Sequence, residues 1–370
     1  MRFSIQRENI LKPLQFVIGV VEKRQTLPVL SNVLLAVSKN SLSLTATDLE
    51  VEIVASTNLD VSEQGQITLP ARKFMDICKA LPDSAQLELS YDADKERAMI
   101  RSGKSRFTLA TLPANDFPNI EDVSDAFSFQ ISQRVLKNLI DKTQFSMAQQ
   151  DVRYYLNGLL LEVSDQVVKT VATDGHRLSY CECDVDVAPA EKRQVILPRK
   201  GVMELAKLLE DSDAQAQVQL GTNHVRINVD SIQFTSKLVD GQFPDYDRVI
   251  PKNSDKEIVA DRNLLRQALI RTSILSNEKY RGIRLRLQPG LIQAQAHNPE
   301  MEEAEEEVEI DYQGAELEIG FNVNYLLDAM AAVNTETVKV LFSNPNSSCL
   351  ILPNGDDELN CQYVVMPMRL

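Results

Sequence analysis

The sequence predicts an α+β protein of three like domains, and three observations carry that reading. Short motifs recur at one long spacing. Ala46-Thr47-Asp48 returns as Ala172-Thr173-Asp174, Phe117-Pro118 returns as Phe243-Pro244, and Leu69-Pro70-Ala71-Arg72-Lys73 returns as Leu197-Pro198-Arg199-Lys200. Each Leu-Pro opens a helical pattern followed by a strand, and residues 321–342 repeat that form with different residues. Residues 264–287 parallel residues 136–163 in the same way, and 291–308 stand where the Ala-Thr-Asp strand stands in the other two units. A period of this size fits the 370 residues three times, and it is a domain rather than a solenoid repeat. Polar, turn-like stretches near 125 and 253 set the expected domains at 1–125, 126–253 and 254–370.

Each unit reads as strand, helix, several strands, helix, several strands. Leu42, Leu44 and Ala46 alternate with Ser41, Ser43 and Thr45, the period of a half-buried strand. In the helix expected at 71–81, Phe74, Ile77, Cys78 and Leu81 share one face, while Arg72 and Lys79 share the other. In the 199–209 helix Val202, Leu205 and Leu209 face inward, and Lys200 and Lys207 do not. Near 133–144, Leu136, Leu139, Ile140 and Thr143 face inward and Arg134 and Lys137 outward. Arg262 and Arg266 stand one turn apart in the third unit. Basic residues thus recur on a solvent-facing helix surface in every unit. One such face is ordinary; three related ones suggest a shared electropositive surface.

Composition sets the class. The chain is 44% hydrophobic and 25% charged, as globular proteins are. No apolar run is long enough for a membrane span, and charges inside the N-terminal apolar pattern argue against a signal peptide. Net charge is −14 and uneven. The three units carry 14 basic and 17 acidic groups, then 15 and 17, then 10 and 19. Such acidity argues against nucleic-acid binding unless the basic groups are segregated on one face. The five cysteines form no zinc pattern, because only Cys181 and Cys183 are close; reduced cytosolic thiols are the expectation.

Motifs for chemistry are sparse. No P-loop, dinucleotide glycine pattern, Gly-x-Ser-x-Gly or His-Glu-x-x-His occurs. The densest mix of polar, aromatic and turn residues is Asp151–Leu178. There Arg153, Tyr154 and Tyr155 follow a predicted helix and offer stacking and phosphate contact, or else a strand start with one ring in the core, and a Thr-Asp-Gly turn should present His176 and Arg177 at a surface. Asp174 and His176 are too close for a general-base dyad on one strand face. The acidic run Glu302–Glu309 reads as a solvated or partner-facing surface before a metal site. The tail Gln362–Leu370 is apolar to its end, with Tyr363–Val365 able to form an edge strand and Met366, Pro367 and Met368 left for a partner. On the residues alone, three classes remain: a hydrolase built on Asp174 and His176, a monomeric peptide-binding scaffold, and a nucleic-acid-associated assembly.

Seven stretches taken together resemble the bacterial sliding-clamp family, the beta subunit of DNA polymerase III: QDVRYYLNG at 150–158, VATDGHRL at 171–178, LPRKG at 197–201, FTSKLVDGQFPDY at 234–246, ILSNEKYRG at 274–282, IGFNVNYLLD at 319–328 and YVVMPMRL at 363–370. The resemblance implies the DNA clamp fold, with helices lining a ring of two head-to-tail chains and antiparallel sheets outside. It implies a cytoplasmic processivity factor, not an enzyme, with no cofactor and no metal. Its partners would be a second copy, double-stranded DNA without sequence preference, the polymerase III alpha subunit, the clamp loader, and other polymerases and repair proteins carrying short hydrophobic peptides. A peptide cleft would use Tyr155, Leu156, Thr173, Gly175, His176, Arg177, Leu178, Pro244, Val249, Asn322, Tyr325, Ser348, Val364, Val365, Met366, Pro367, Met368 and Arg369. DNA would meet Arg24, Arg72, Gln150, Tyr154, Arg199 and Lys200. The dimer seam would join Phe107, Leu109, Lys104 and Arg106 to Ile274, Leu275, Glu302 and Glu303.

Overall fold

Alternating strands and one-faced helices must each bury an apolar side, and the chain meets that need in the same order three times. A computed structural model describes residues 1–21, 27–59, 61–120, 123, 126–187, 189, 191–356 and 358–369. The first pass runs β1 (Arg2–Gln6), α1 (Arg7–Val17), β2 (Asn32–Ser38), β3 (Ser41–Thr47), β4 (Val51–Asn58), β5 (Val61–Glu63), β6 (Gly65–Pro70), α2 (Ala71–Ala80), β7 (Gln86–Asp92), β8 (Arg97–Ser102) and β9 (Ser105–Ala110). The second runs β10 (Phe127–Ser132), α3 (Gln133–Asp141), β11 (Gly158–Ser164), β12 (Val167–Thr173), β13 (Arg177–Asp184), β14 (Arg193–Pro198), α4 (Arg199–Leu208), β15 (Gln215–Leu220), β16 (His224–Val229) and β17 (Ile232–Lys237). The third runs β18 (Lys256–Asp261), α5 (Arg262–Ser273), β19 (Gly282–Gln288), β20 (Leu291–His297), β21 (Glu303–Glu309), β22 (Leu317–Asn322), α6 (Val323–Ala332), β23 (Thr337–Phe342), β24 (Cys349–Asn354) and β25 (Asn360–Val365). Apart from the short β5, the three passes have the same order.

The helix faces follow the sequence period. Phe74 and Cys78 are fully buried in α2, Val202 and Leu205 in α4, and Leu136, Leu139 and Ile140 in α3. Each such apolar side chain contributes about 1.5–3 kcal/mol by leaving water. The third helix stops at Asp141, short of the expected 144. The Thr143 hydroxyl donates back to the Leu139 carbonyl at 2.7 Å, and a 3-10 turn follows at Gln144–Ser146. Of the two readings of Arg153–Tyr155, the strand start does not form there: Tyr154–Leu156 is a 3-10 turn.

The chain divides into two compact units. One comprises Met1–Leu136 with Lys200–Leu238, the other Lys137–Arg199 with Val239–Leu370. The first holds a sheet ordered β5-β1-β7-β8-β9 and an eight-stranded sheet β10-β15-β16-β17-β4-β3-β2-β6. The second holds an eight-stranded sheet β14-β11-β12-β13-β25-β24-β23-β18 and a four-stranded sheet β21-β20-β19-β22. Neighbouring strands run antiparallel throughout the named pairings. Each long sheet is two four-stranded sheets joined edge to edge, by β17 on β4 (Ser236 opposite Val51) and by β25 on β13 (Val365 opposite Arg177). Strands β9 and β21 each end a sheet, with a strand partner on one side.

The cysteine expectation needs correction. Cys181 and Cys361 are disulfide-bonded, directly opposite one another on β13 and β25 with Cα atoms 4.2 Å apart. A separation of 180 residues hid the pair. Cys78, Cys183 and Cys349 are free, and burial pushes their thiols up, to about 12, 11 and 12.

Candidate functional site

The repeated Ala-Thr-Asp is a turn that bonds itself. The Thr47 hydroxyl accepts the Leu49 N–H at 3.1 Å, and the Thr173 hydroxyl accepts the Gly175 N–H at 3.1 Å. The Asp48 carboxylate accepts the N–H groups of Glu50 and Val51, as Asp174 accepts those of His176 and Arg177. The residue between takes a left-handed backbone, φ 77° at Leu49 and 86° at Gly175. At Gly175 a Cβ would also lie 3.0 Å from an Arg153 guanidinium nitrogen, so glycine answers both backbone and space. Arg153 is held there by Asp151, whose carboxyl it draws down to about 2.

This turn presents one of the two side chains as the sequence predicts and turns the other inward. His176 is exposed and stacks on Tyr325, with ring centroids 6.5 Å apart and an interplanar angle of 17°. Arg177 instead turns inward. It donates to Asp174 at 3.1 Å, to Asp328 at 2.5 Å and to the Phe145 carbonyl at 2.7 Å, and its guanidinium lies 4.6 Å from the Tyr325 ring centroid. Arg177 therefore pins β13 to α6 and leaves only 13% of its side chain exposed. Asp328 and Phe145 were absent from the sequence reading. Asp328 was findable, since it sits three residues after Tyr325 on the same helix face. Burial and the Asp174 charge raise the Tyr325 hydroxyl pKa above its ordinary value, keeping the ring neutral. Asp174 spends its oxygens on two backbone N–H groups and on Arg177, so the structure does not assemble the hydrolase dyad.

Beside the turn lies an apolar floor. Leu178 and Val364 face one another across β13 and β25, and both are buried with Leu350, Phe243 and Tyr246. Tyr155 and Val249 pack on them half-buried, and Pro244 is exposed. Leu156 and Val365 are buried, and Thr173 spends its hydroxyl on the Arg177 carbonyl at 2.6 Å. These groups shape the floor, while the half-buried and exposed ones are open to a ligand. Past β25 the Met366 N–H donates to the His176 carbonyl at 2.9 Å, and the Met368 N–H donates to Gly320 at 2.8 Å. Met366, Pro367 and Met368 thus form a half-buried wall, Arg369 is exposed, and Ser348 stands half-buried. Asn322 caps α6 through the Asn324 N–H and reaches the Tyr280 carbonyl at 3.4 Å. The expected cleft residues all lie in this one unit.

The other expected sites fall in both units. In the first, Arg72 is exposed and donates to the Val21 carbonyl at 2.7 Å, and Lys200 pairs with the half-buried Asp48 at 2.5 Å. In the second, Arg199 donates to the Met147 carbonyl at 3.2 Å, while Gln150 (φ 56°) and Tyr154 are exposed. Arg24, and Asp125 at the expected first boundary, lie outside the described residues. Strand β9 carries Arg106 exposed, Phe107 half-buried and Leu109 buried, with Lys104 exposed in the turn before it. Ile274 is 71% exposed beside the half-buried Leu275, and Glu303 is exposed on β21 with Glu302 just before it. Arg271 fixes Glu306 with two hydrogen bonds, 2.6 and 2.8 Å, which lower its carboxyl pKa.

Comparison with known proteins agrees along the whole chain. Family models described as DNA polymerase III beta subunit match in succession, the N-terminal domain over residues 1–121, the central domain over 130–245 and the C-terminal domain over 247–369. The beta sliding clamp of Pseudomonas aeruginosa is 56% identical and that of Escherichia coli 50%, each alignment covering 100% of both chains. The crystal structure of the DNA polymerase III subunit beta from Pseudomonas aeruginosa superposes with a TM-score of 0.96 at 55% identity. The DNA polymerase sliding clamp from Caulobacter crescentus does so at 0.94 and 38% identity. Both superpositions cover 100% of each chain.

Proposed function

The chain belongs to the DNA polymerase III beta subunit family, the sliding clamps that act as processivity factors, and from that premise we propose that two copies close head to tail around duplex DNA. The carrying observation is the sheet topology. Twice within the chain, the last strand of one pass pairs with the third strand of the preceding pass's middle sheet: β17 with β4 and β25 with β13. The same rule leaves β9 without its β21. A second copy supplies it, and head-to-tail symmetry satisfies both edges at once.

The internal joints support one register for that seam. Glu52, Leu178 and Glu303 hold one position, each opposite the last residue of its hairpin partner strand, Thr47, Thr173 and His297. The next residues Ile53 and Ser179 lie opposite Phe234 and Tyr363. Phe234 is the third residue of β17, as Phe107 is of β9. Phe107 then faces Ala304, and Ser105 faces Glu306, the place that Cys361 and Cys181 hold in the internal joint. Lys104 and Arg106 meet an acidic strand, and Leu109, Ile274 and Leu275 lie at the apolar centre.

In this reading the domains are 1–125, 126–253 and 254–370. Arg24, Arg72, Gln150, Tyr154, Arg199 and Lys200 meet phosphates, which carry no base information, so the ring slides. The floor at Leu178 and Val364 takes the hydrophobic end of a short extended peptide, and the His176, Tyr325 and Asn322 side takes its glutamine. The polymerase III alpha subunit, the clamp loader and other polymerases and repair proteins share that cleft in the cytoplasm. Tethering keeps a polymerase at high effective concentration near the primer end. Loading onto closed circular DNA tests this. Retention that vanishes when the circle is cut is expected; equal retention on linear DNA without blocked ends contradicts encirclement.

A further inference from the structure

Strands β19 and β20 bury Ile283, Leu285, Ala294 and Ala296 on one face. Alternation therefore sends Arg284, Gln295 and His297 to the other face. On that outer face lies a cavity of about 430 Å³. Tyr280, Pro299 and Met368 give it apolar walls, and Gly282 brings no side chain into it. Its volume lies in the range of about 300–1,000 Å³ typical of sites that enclose small ligands. Tyr280 is 55% exposed there, with the Lys279 ammonium 5.2 Å from its ring centroid.

Two connections tie the cavity to the peptide cleft. Met368 and Arg369 line the cavity and also form the end of the cleft wall. Asn322, on the glutamine side of the cleft, bonds the Tyr280 carbonyl. The tail passes from the His176 carbonyl, bonded by Met366, to Gly320, bonded by Met368, and five extended peptide residues reach about 16 Å. A peptide whose apolar end sits at Leu178 and Val364 has its glutamine near His176 and Asn322. Its preceding residues then leave past Met368 and Arg369, at the cavity mouth.

We propose that this cavity is a further subsite of the cleft, taking a bulky apolar side chain from the partner segment that precedes the glutamine. The inference rests on the peptide-cleft reading above. Partners that share the same glutamine and hydrophobic end would then differ in affinity through this preceding residue.

Two peptides test it by fluorescence polarisation on the full-length chain. One is a five-residue core beginning with glutamine and ending in Leu-Phe; the other carries four more residues before the glutamine, one of them leucine. The expected gain from the extension is about tenfold, the effect of burying one such side chain. Tyr280→Ala and His297→Glu should each remove most of that gain and leave core affinity within about twofold. Both residues are exposed and neither belongs to the core cleft, so folding is not at issue. An extension that adds nothing, or a gain that both variants keep, overturns the subsite while the cleft stands. A core peptide that binds equally to a chain lacking Met366–Leu370 overturns the cleft and the subsite together.

Discussion

Strands β25 and β9 end equivalent sheets, yet they are built for different fates. Strand β25 buries Tyr363, Val364 and Val365, each 1% exposed, and is joined to β13 by backbone ladder and disulfide. Strand β9 exposes Ser105, Arg106, Thr108 and Ala110, and its counterpart β21 is mostly glutamate. An apolar edge that pairs on folding is permanent. A free edge of that kind would invite indiscriminate strand addition, and charge prevents it. Opposite charges on the two edges suit the proposed pairing with a second copy in one orientation. The difference marks β9 and β21, in the proposed ring, as the joint suited to opening.

Breaking the apolar centre of the open joint should have the largest effect. Ile274→Ala with Leu275→Ala strikes both seams of a dimer at once, and truncating a well-buried aliphatic costs about 2–5 kcal/mol. Sedimentation equilibrium should show monomers for this variant and dimers for the wild type; a variant dimer as tight as wild type at nanomolar concentration would sink the seam assignment. Removing Met366–Leu370 begins just beyond β25 and spares both kinds of joint. Peptide binding should be lost while the sedimentation profile stays dimeric, and unchanged peptide affinity would refute the cleft. Charge reversal at Glu302→Lys with Glu303→Lys should do least. Exposed pairs contribute about 0.2–1 kcal/mol each and are screened by salt, so weakening should be modest and confined to low ionic strength. A loss that persists at high salt would mean these groups act through packing.

What the sequence revealed depended on the range of the interaction. The helix faces were legible because Phe74 and Cys78, or Leu136, Leu139 and Ile140, repeat with the helical period. The Thr-Asp turn was legible because its bonds close within four residues. Arg177 was read as surface because Asp328, 151 residues away, turns it inward. The Cys181–Cys361 pair was missed for the same reason. Strand joints between β4 and β17 leave no local trace, since Glu52 opposite Thr235 follows no pattern either strand carries alone. The cleft residues entered through resemblance; composition showed only that the tail was too apolar to hang free.

The most direct test of the central claim is a cross-link at the seam. The proposed register sets Ser105 of one copy opposite Glu306 of the other, the place that Cys361 and Cys181 hold in the internal joint. Ser105→Cys with Glu306→Cys should therefore give, under mild oxidation, a covalent dimer on a non-reducing gel, locked onto circular DNA and released by reductant. The control pair Ser105→Cys with Glu305→Cys points to opposite faces of the sheet and should stay monomeric on the gel. A covalent dimer from the control and none from the first pair would contradict the inferred register, and none from either would contradict the pairing of β9 with β21.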